Sequence, residues 1–219
     1  MIGRVRQLAR VAATALRDGF LPLRLARRAI GEHGAIQRTW ELQSLVGMVR
    51  RLRPARVVEI GSYKGGTLFC WIAVARPDAH IVSVDLPAEI AGFGASAADF
   101  APLRPYLAPR QTLTAIVGDS HAPATLQRVR EALGGLPVDL LYVDGDHSYA
   151  GVKADVEMYG PLVRPGGLIA LHDIHESAMW PESQSHVYWA EIQAGRRTRE
   201  FIAEPRAGSG MGIGVVVVQ

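Results

Sequence analysis

Two short stretches of this chain hold the residues best suited to chemistry. In LLYVDGDHSYAG, Leu140 to Gly151, an apolar run breaks into Asp144, Asp146 and His147. In LIALHD, Leu168 to Asp173, a second run ends in His172 and Asp173. Two carboxylates held close together either share a proton or bind a cation. Hard oxygen donors with room for water suit Mg2+ or Mn2+. An imidazole beside them, that of His147, can take a proton near neutral pH. Both groups also have architectural readings. Asp144 and Asp146 could form an Asx turn that caps the next helix, and His147 could be a hydrogen-bonded structural residue.

Elements of alternating type must position these residues. A helix is expected over 36–52, with an apolar stripe of Trp40, Leu45, Met48 and Val49, ended by Pro54. Strands are expected at 56–60, 80–84, 112–117, 138–143 and 168–171, separated by helices over 67–75, 124–133 and 149–163. Two last β segments, near 199–203 and 211–218, have only the turn-rich PRAGSG between them. Alternation of this kind predicts a doubly wound, mostly parallel α/β sheet of seven strands, closed by an antiparallel C-terminal edge hairpin and preceded by N-terminal helices. Ligands of such sheets bind beyond the carboxyl ends of the strands, where Asp144 and Asp173 are expected on neighbouring strands about 4.8 Å apart.

The first crossover, VVEIGSYKGGTL from Val57 to Leu68, runs strand, Glu59, glycine turn, helix. Glycines there let backbone amides approach a ligand at a helix N-terminus. The spacing is G-x-x-x-G-G, not the G-x-G-x-x-G of dinucleotide binders, which disfavours a dehydrogenase. Asp85 ends the second strand and is placed to hold ribose hydroxyls. Gly118-Asp119-Ser120 ends the third strand, at the position of an adenine-edge reader. Each signal also fits tight packing in any α/β protein; the combination in this order points to a nucleoside-bearing cofactor.

VVEIGSYKGG, VSVDLP, VGDS and VDLLYVDGDHSY…LVRPGGLIALHD together resemble the class I S-adenosylmethionine-dependent methyltransferases, over roughly 36–219. Within them the chain is most similar to the macrocin-type sugar O-methyltransferases and the cephalosporin-hydroxylase-like proteins. The resemblance implies a Rossmann-like methyltransferase fold with Glu59, Gly61, Ser62, Gly65, Asp85, Asp119, Ser120 and Asp144 around S-adenosyl-L-methionine. Glu59 and Asp144 would offset the sulfonium charge. It further implies Asp144, His172 and Asp173 at a Mg2+ or Mn2+ ion and His147 as the general base that deprotonates a sugar hydroxyl. His172 stands where the family carries an acid, which lowers the charge of the metal site. Open alternatives are a catechol or phenol acceptor and a cephalosporin-hydroxylase-like oxidoreductase.

The bulk numbers bound the rest. At 219 residues, 48% hydrophobic and 21% charged, the chain is expected to form one catalytic domain, 35–219, behind a basic helical arm, 1–34. Residues 1–31 hold seven arginines against Asp18, a balance of +6; the whole chain is +3, so the remainder carries −3. That arm, with Val5, Leu8, Ala12, Ala15 and Leu16 at helical spacing, could lie on an anionic surface or pack on the body or a second subunit. No nucleic-acid motif accompanies the charge. A homodimer, a small-molecule or oligosaccharide acceptor, no transmembrane segment and a cytoplasmic location are expected. The lone Cys70, among Phe69, Trp71 and Ile72, reads as a buried structural thiol. The Gly/Ala-rich 87–101 is a candidate lid. Trp180, Tyr188, Trp189, His175 and His186 on 174–190 could stack on an acceptor or form a packed corner.

Overall fold

The computed structural model describes residues 20–87, 94–95, 98–206 and 208–219. Most of the candidate lid and the first nineteen residues of the basic arm therefore lie outside the described residues. Residues 20–33 are helical (α1), followed by α2 (Thr39–Leu52), β1 (Arg56–Ile60), α3 (Gly66–Val74) and β2 (His80–Asp85). Next come β3 (Thr112–Val117), α4 (Pro123–Ala132), β4 (Val138–Val143) and α5 (Tyr149–Tyr159). The chain ends with β5 (Val163–His172), α6 (Ser185–Ile192), β6 (Arg197–Phe201) and β7 (Ile213–Val217).

The seven strands form one sheet in the order β3-β2-β1-β4-β5-β7-β6. The first five are parallel, and β7 and β6 join antiparallel. This is the mixed, doubly wound architecture expected from the alternation. Its chain reversal falls between β1 and β4, so the crevice at their carboxyl ends is flanked by the tips of all five parallel strands.

Side-chain alternation divides the core into two faces. Val57, Ile81, Leu140, Tyr142, Leu168 and Ala170 pack with α1, α2 and α3; Val58, Ile60, Val82, Leu141 and Val143 pack toward α5 and α6. Every residue of β4 is buried, as a central parallel strand covered on both sides requires. Helix α3 is apolar almost all round because it lies between the sheet and the N-terminal helices. Cys70 on it is fully buried, and burial raises its thiol pKa, so it stays protonated. Helix α1 buries Leu25, Ala26 and Ala29 in the same core, so at least this part of the basic arm packs on the body. Among the described residues no helix is long and apolar enough to cross a membrane.

Two boundaries differ from expectation. Gly34, at φ +72°, interrupts the N-terminal helices, so α2 begins at Thr39 and leaves 34–38 as a linker across the sheet tips. Strand β5 starts at Val163 and runs through Arg164-Pro165-Gly166-Gly167, with a register shift against β4 between Val138 and Leu140. Proline and glycine at a bulge bend the strand without ending it.

Glutamate and glycine contacts lock the ends of the sheet. Glu41 of α2 is fully buried and accepts from the backbone N–H groups of Ala203 and Gly212, which ties the β6–β7 hairpin to the N-terminal helices. Gly61, at φ +80°, lies so close to β4 that a Cβ there would fall 2.1 Å from the carbonyl oxygen of Asp144. The Gly61→Ala variant is therefore expected to lose roughly 3 kcal/mol or more of stability, from a left-handed backbone plus a clash with main chain, read as a lowered urea midpoint.

Candidate active site

The glycine turn between β1 and α3 is built from below. The Gly61 N–H donates to Val84 O at 2.9 Å, stitching the turn to β2. The N–H groups of Ser62 and Tyr63 donate to Asp85 Oδ2 at 2.8 and 2.7 Å. Asp85 thus stands at the tip of β2, as expected, and also fixes the turn. Burial pushes its carboxyl above the ordinary range, against the pull of the two amides. Gly65, at φ +79°, ends the turn; a Cβ there would meet Leu103 Cδ1 at 2.8 Å.

Two residues expected at the cofactor are buried and hydrogen-bonded within the protein. Glu59 shares its face of β1 with Val57, toward α3, and is fully buried. One carboxyl oxygen accepts from Thr67 Oγ1 at 2.8 Å and the other from the Trp71 indole. Burial raises its pKa to about 8, with Thr67 and Trp71 opposing. Ser62 is buried as well, its hydroxyl accepting from Ser83 Oγ at 2.7 Å.

The second half of the site follows from sheet register. Tyr142 lies opposite Ala170 and Val143 opposite Leu171, so the next pair across the β4–β5 boundary is Asp144 and His172. His172 Nδ1 lies 3.0 Å from Asp144 Oδ1 and 3.4 Å from Asp173 Oδ1. The two carboxylates do converge, but at the ring nitrogen of His172. Burial would lower the pKa of His172; the charges of Asp144 and Asp173 outweigh it and raise it to about 9. Asp173 adopts φ +56°, a left-handed conformation rare outside glycine, and this turns its carboxylate back toward the strand tip. Burial acts to raise its pKa, yet His172 and His147 hold it below the ordinary value.

His147 completes the chain, with Nδ1 3.0 Å from Asp173 Oδ2. A carboxylate only accepts, so Nδ1 carries the hydrogen and Nε2 keeps a lone pair in the neutral ring. Burial lowers the pKa of His147, but the Asp173 bond and the charges of Asp144 and Asp173 leave it raised. Its side chain remains 40% exposed, and its carbonyl accepts from Gln184 N at 2.7 Å. The Asx-turn reading belongs to Asp146, which accepts from Ser148 N at 2.8 Å, while Ser148 itself caps α5. Asp144 is released from that duty.

Two partners of Asp144 escaped the sequence reading. Gln37 Nε2 donates to Asp144 Oδ2 at 2.8 Å, and Tyr142 Oη donates to the same oxygen at 3.3 Å. Tyr142 lies two residues upstream on the same face of β4, which strand alternation could have revealed. Gln37 sits 107 positions away in the 34–38 linker and carries no sequence signal. Among the described residues no three His, Cys, Asp or Glu side chains form a ready-made metal cage.

At the far end of the crevice, Asp119 is exposed and Ser120 half-buried. Asp119 Oδ1 accepts from His121 N at 2.9 Å, and His121 Nε2 lies 3.3 Å from Asp155 Oδ1 on α5. Of the candidate acceptor aromatics, Tyr188 and Trp189 belong to the core, and the Trp189 indole donates to Glu200 at 2.6 Å. Trp180 is 56% exposed.

With this geometry in view, comparison with known proteins is decisive on the family. A family profile described as a methyltransferase domain matches residues 58–174, more than half of the chain, from within β1 to just past Asp173. The chain belongs to this methyltransferase-domain family. Demethylmacrocin O-methyltransferase of Streptomyces fradiae is 35% identical over 74 residues, 34% of this chain and 18% of that protein. The O-methyltransferase TomG of Streptomyces achromogenes, solved with S-adenosylmethionine, superposes with a TM-score of 0.58 at 16% identity over 91% of this chain and 90% of that one. The mycinamycin-pathway methyltransferase MycE, solved with Mg, S-adenosylhomocysteine and mycinamycin VI, has a TM-score of 0.57 at 21% identity, covering 89% of this chain and 53% of that one. These two share the fold. The chain spans only 17% or 18% of the length of the curated relatives it matches.

The burial of Glu59 makes stability depend on pH. Its folded pKa, about 8, lies above the 4.5 of a free carboxyl. Its contribution to stability is thus full below 4.5 and declines as pH rises to about 8. The Glu59→Gln variant, which cannot ionise, is expected to show a flatter decline of unfolding free energy across that window. The difference is of the order of a few kcal/mol in urea titrations at several pH values.

Proposed function

We propose that this methyltransferase-family protein transfers a methyl group from S-adenosylmethionine to a hydroxyl of a sugar, with His147 as general base. The observation that carries the reading is the Asp173–His147 pair, 3.0 Å apart, at the strand tips beside the glycine turn. A sugar hydroxyl is a poor nucleophile at neutral pH. Nε2 of His147 is positioned by Asp173 to take its proton, and the raised pKa strengthens the base. Asp173 then stabilises the imidazolium that forms.

The donor, when bound, supplies an electrophilic methyl group on a cationic sulfur. On the proposed reading its adenosine is held at the β2 and β3 tips, with ribose at Asp85 and the adenine edge at Asp119 and Ser120. The turn at Gly61 and Gly65 lets main chain come close to it. Asp144, at the tip of β4, would offset the positive charge of the sulfonium.

Metal assistance is the finer part of the proposal. The Asp144 and Asp173 carboxylates converge on His172 Nδ1, at 3.0 and 3.4 Å; these three residues would hold the ion, with the carboxylates as the hard donors that suit Mg2+ or Mn2+. Nδ1 of His172 must give up its proton to serve. A divalent ion there would lower the pKa of the acceptor hydroxyl and orient it. Demethylmacrocin O-methyltransferase and a second relative, the 8-demethyl-8-alpha-L-rhamnosyl tetracenomycin-C 2'-O-methyltransferase of Streptomyces olivaceus (33% identical over 69 residues, 32% of this chain and 18% of that protein), favour a sugar in a glycosylated natural product as the acceptor class.

The test is transfer of labelled methyl across a panel of glycosides and phenols. Turnover on glycosides is expected, and no transfer to any hydroxyl would overturn the reading. The His147→Ala variant should lose about 10²–10⁴-fold in kcat on glycosides. It should lose less on phenols, whose pKa of about 10 makes them easier to ionise. With chelator, activity should fall and return on adding Mg2+; unchanged activity would remove the metal while leaving methyl transfer in place.

A further inference from the structure

The linker between α1 and α2 carries a polar group that the base and metal chemistry leaves unused. Residues 34–37 lie along the glycine turn: a Cβ on Gly34 would fall 2.9 Å from Lys64 Cδ, and one on Gly66 would fall 2.5 Å from Ala35 Cβ. The linker delivers Gln37 to the gap between that turn and the tip of β4. Asp144 can only accept, so it dictates which way the Gln37 amide faces: Nε2 points to Asp144, and Oε1 is turned away from it. That oxygen is buried and, among the described residues, has no hydrogen-bond partner. A buried acceptor left unpaired costs on the order of 1–3 kcal/mol, so a ligand donor at this point would be favoured.

The strand order says which part of a ligand reaches it. Adenosine held at the tips of β3 and β2 places the rest of an extended donor over β1 and β4. The amino-acid tail is then the part nearest Gln37 and Asp144. Its α-ammonium group carries hydrogens and a positive charge, which suit a carbonyl oxygen next to a carboxylate. Gln37 also falls outside the segment matched by the family profile, 58–174.

We propose that Gln37 is a donor-binding residue whose Oε1 accepts from the α-ammonium of S-adenosylmethionine, while its Nε2 stays on Asp144. The inference rests on the methyl-donor reading above. Hydrogen bonds to charged groups of this kind correspond to about a tenfold or larger change in affinity.

Calorimetry on the full chain compares S-adenosylhomocysteine with its analogue lacking the α-amino group. The unaltered protein should bind S-adenosylhomocysteine about tenfold more tightly than the deamino analogue. The Gln37→Met variant, of similar length but without the acceptor, should bind the two alike, with its affinity for the deamino analogue unchanged. That retained binding also reports that the variant is folded. Should the Met variant not fold, equal binding of the two ligands by the unaltered protein still overturns the assignment. An unchanged preference in Gln37→Met or an equal weakening of both ligands would overturn it too. Failure of the unaltered protein to bind either ligand would instead strike the methyl-donor reading itself.

Discussion

The carboxyl edge of this sheet depends on the imidazole of His172 standing between Asp144 and Asp173. Two carboxylates brought together in a largely buried place repel each other and lose hydration, so the arrangement holds only with a positive group between them. The raised pKa of His172 and the lowered pKa of Asp173 are two sides of this one interaction. Tyr142 and Gln37 add two further donors to Asp144. The result is a carboxylate supplied with donors from β4, β5 and the N-terminal linker, and a second carboxylate free to orient His147.

That chain of contacts exists because parallel strands fix their neighbours' registers. Asp144 and His172 are level because Val143 and Leu171 are paired. His147 reaches Asp173 because Asp146 and Ser148 turn the chain sharply into α5. The Gly61 turn lies against the same point because no side chain intervenes between it and the Asp144 carbonyl. On the open side, β7 covers the far edge of β5, and Glu41 binds the hairpin back to α2, which holds the linker that carries Gln37. The site is thus rigid at its base, where main chain meets main chain.

Much of the fold was legible in the sequence because the signals were local. Apolar runs of four to six residues between turn-marked boundaries identified each parallel strand, and the brief connection before 211–218 identified the antiparallel end. The glycine turn, Asp85 and the DGDHSY and LHD stretches were found because their residue types are unusual at strand ends. Less legible was which polar residues near these motifs point into the protein. Glu59 and Ser62 lie inside the protein, and the alternation of β1 already put Glu59 on the side of Val57 and α3. Tyr188 and Trp189 likewise entered the core, because α6 needed an apolar face against β5 and β7.

The sequence by itself determined the order of elements, the sheet type and the residues capable of acid–base or metal chemistry, since propensity, periodicity and residue chemistry are properties of short segments. Only the tertiary structure decided which of those residues meet. That His172 rather than Asp173 lies level with Asp144 depends on pairing across two strands and on the left-handed backbone at Asp173. That Gln37 joins them depends on a linker 107 positions away crossing the strand tips. Contacts between distant segments are set by packing and register, and no local pattern encodes them.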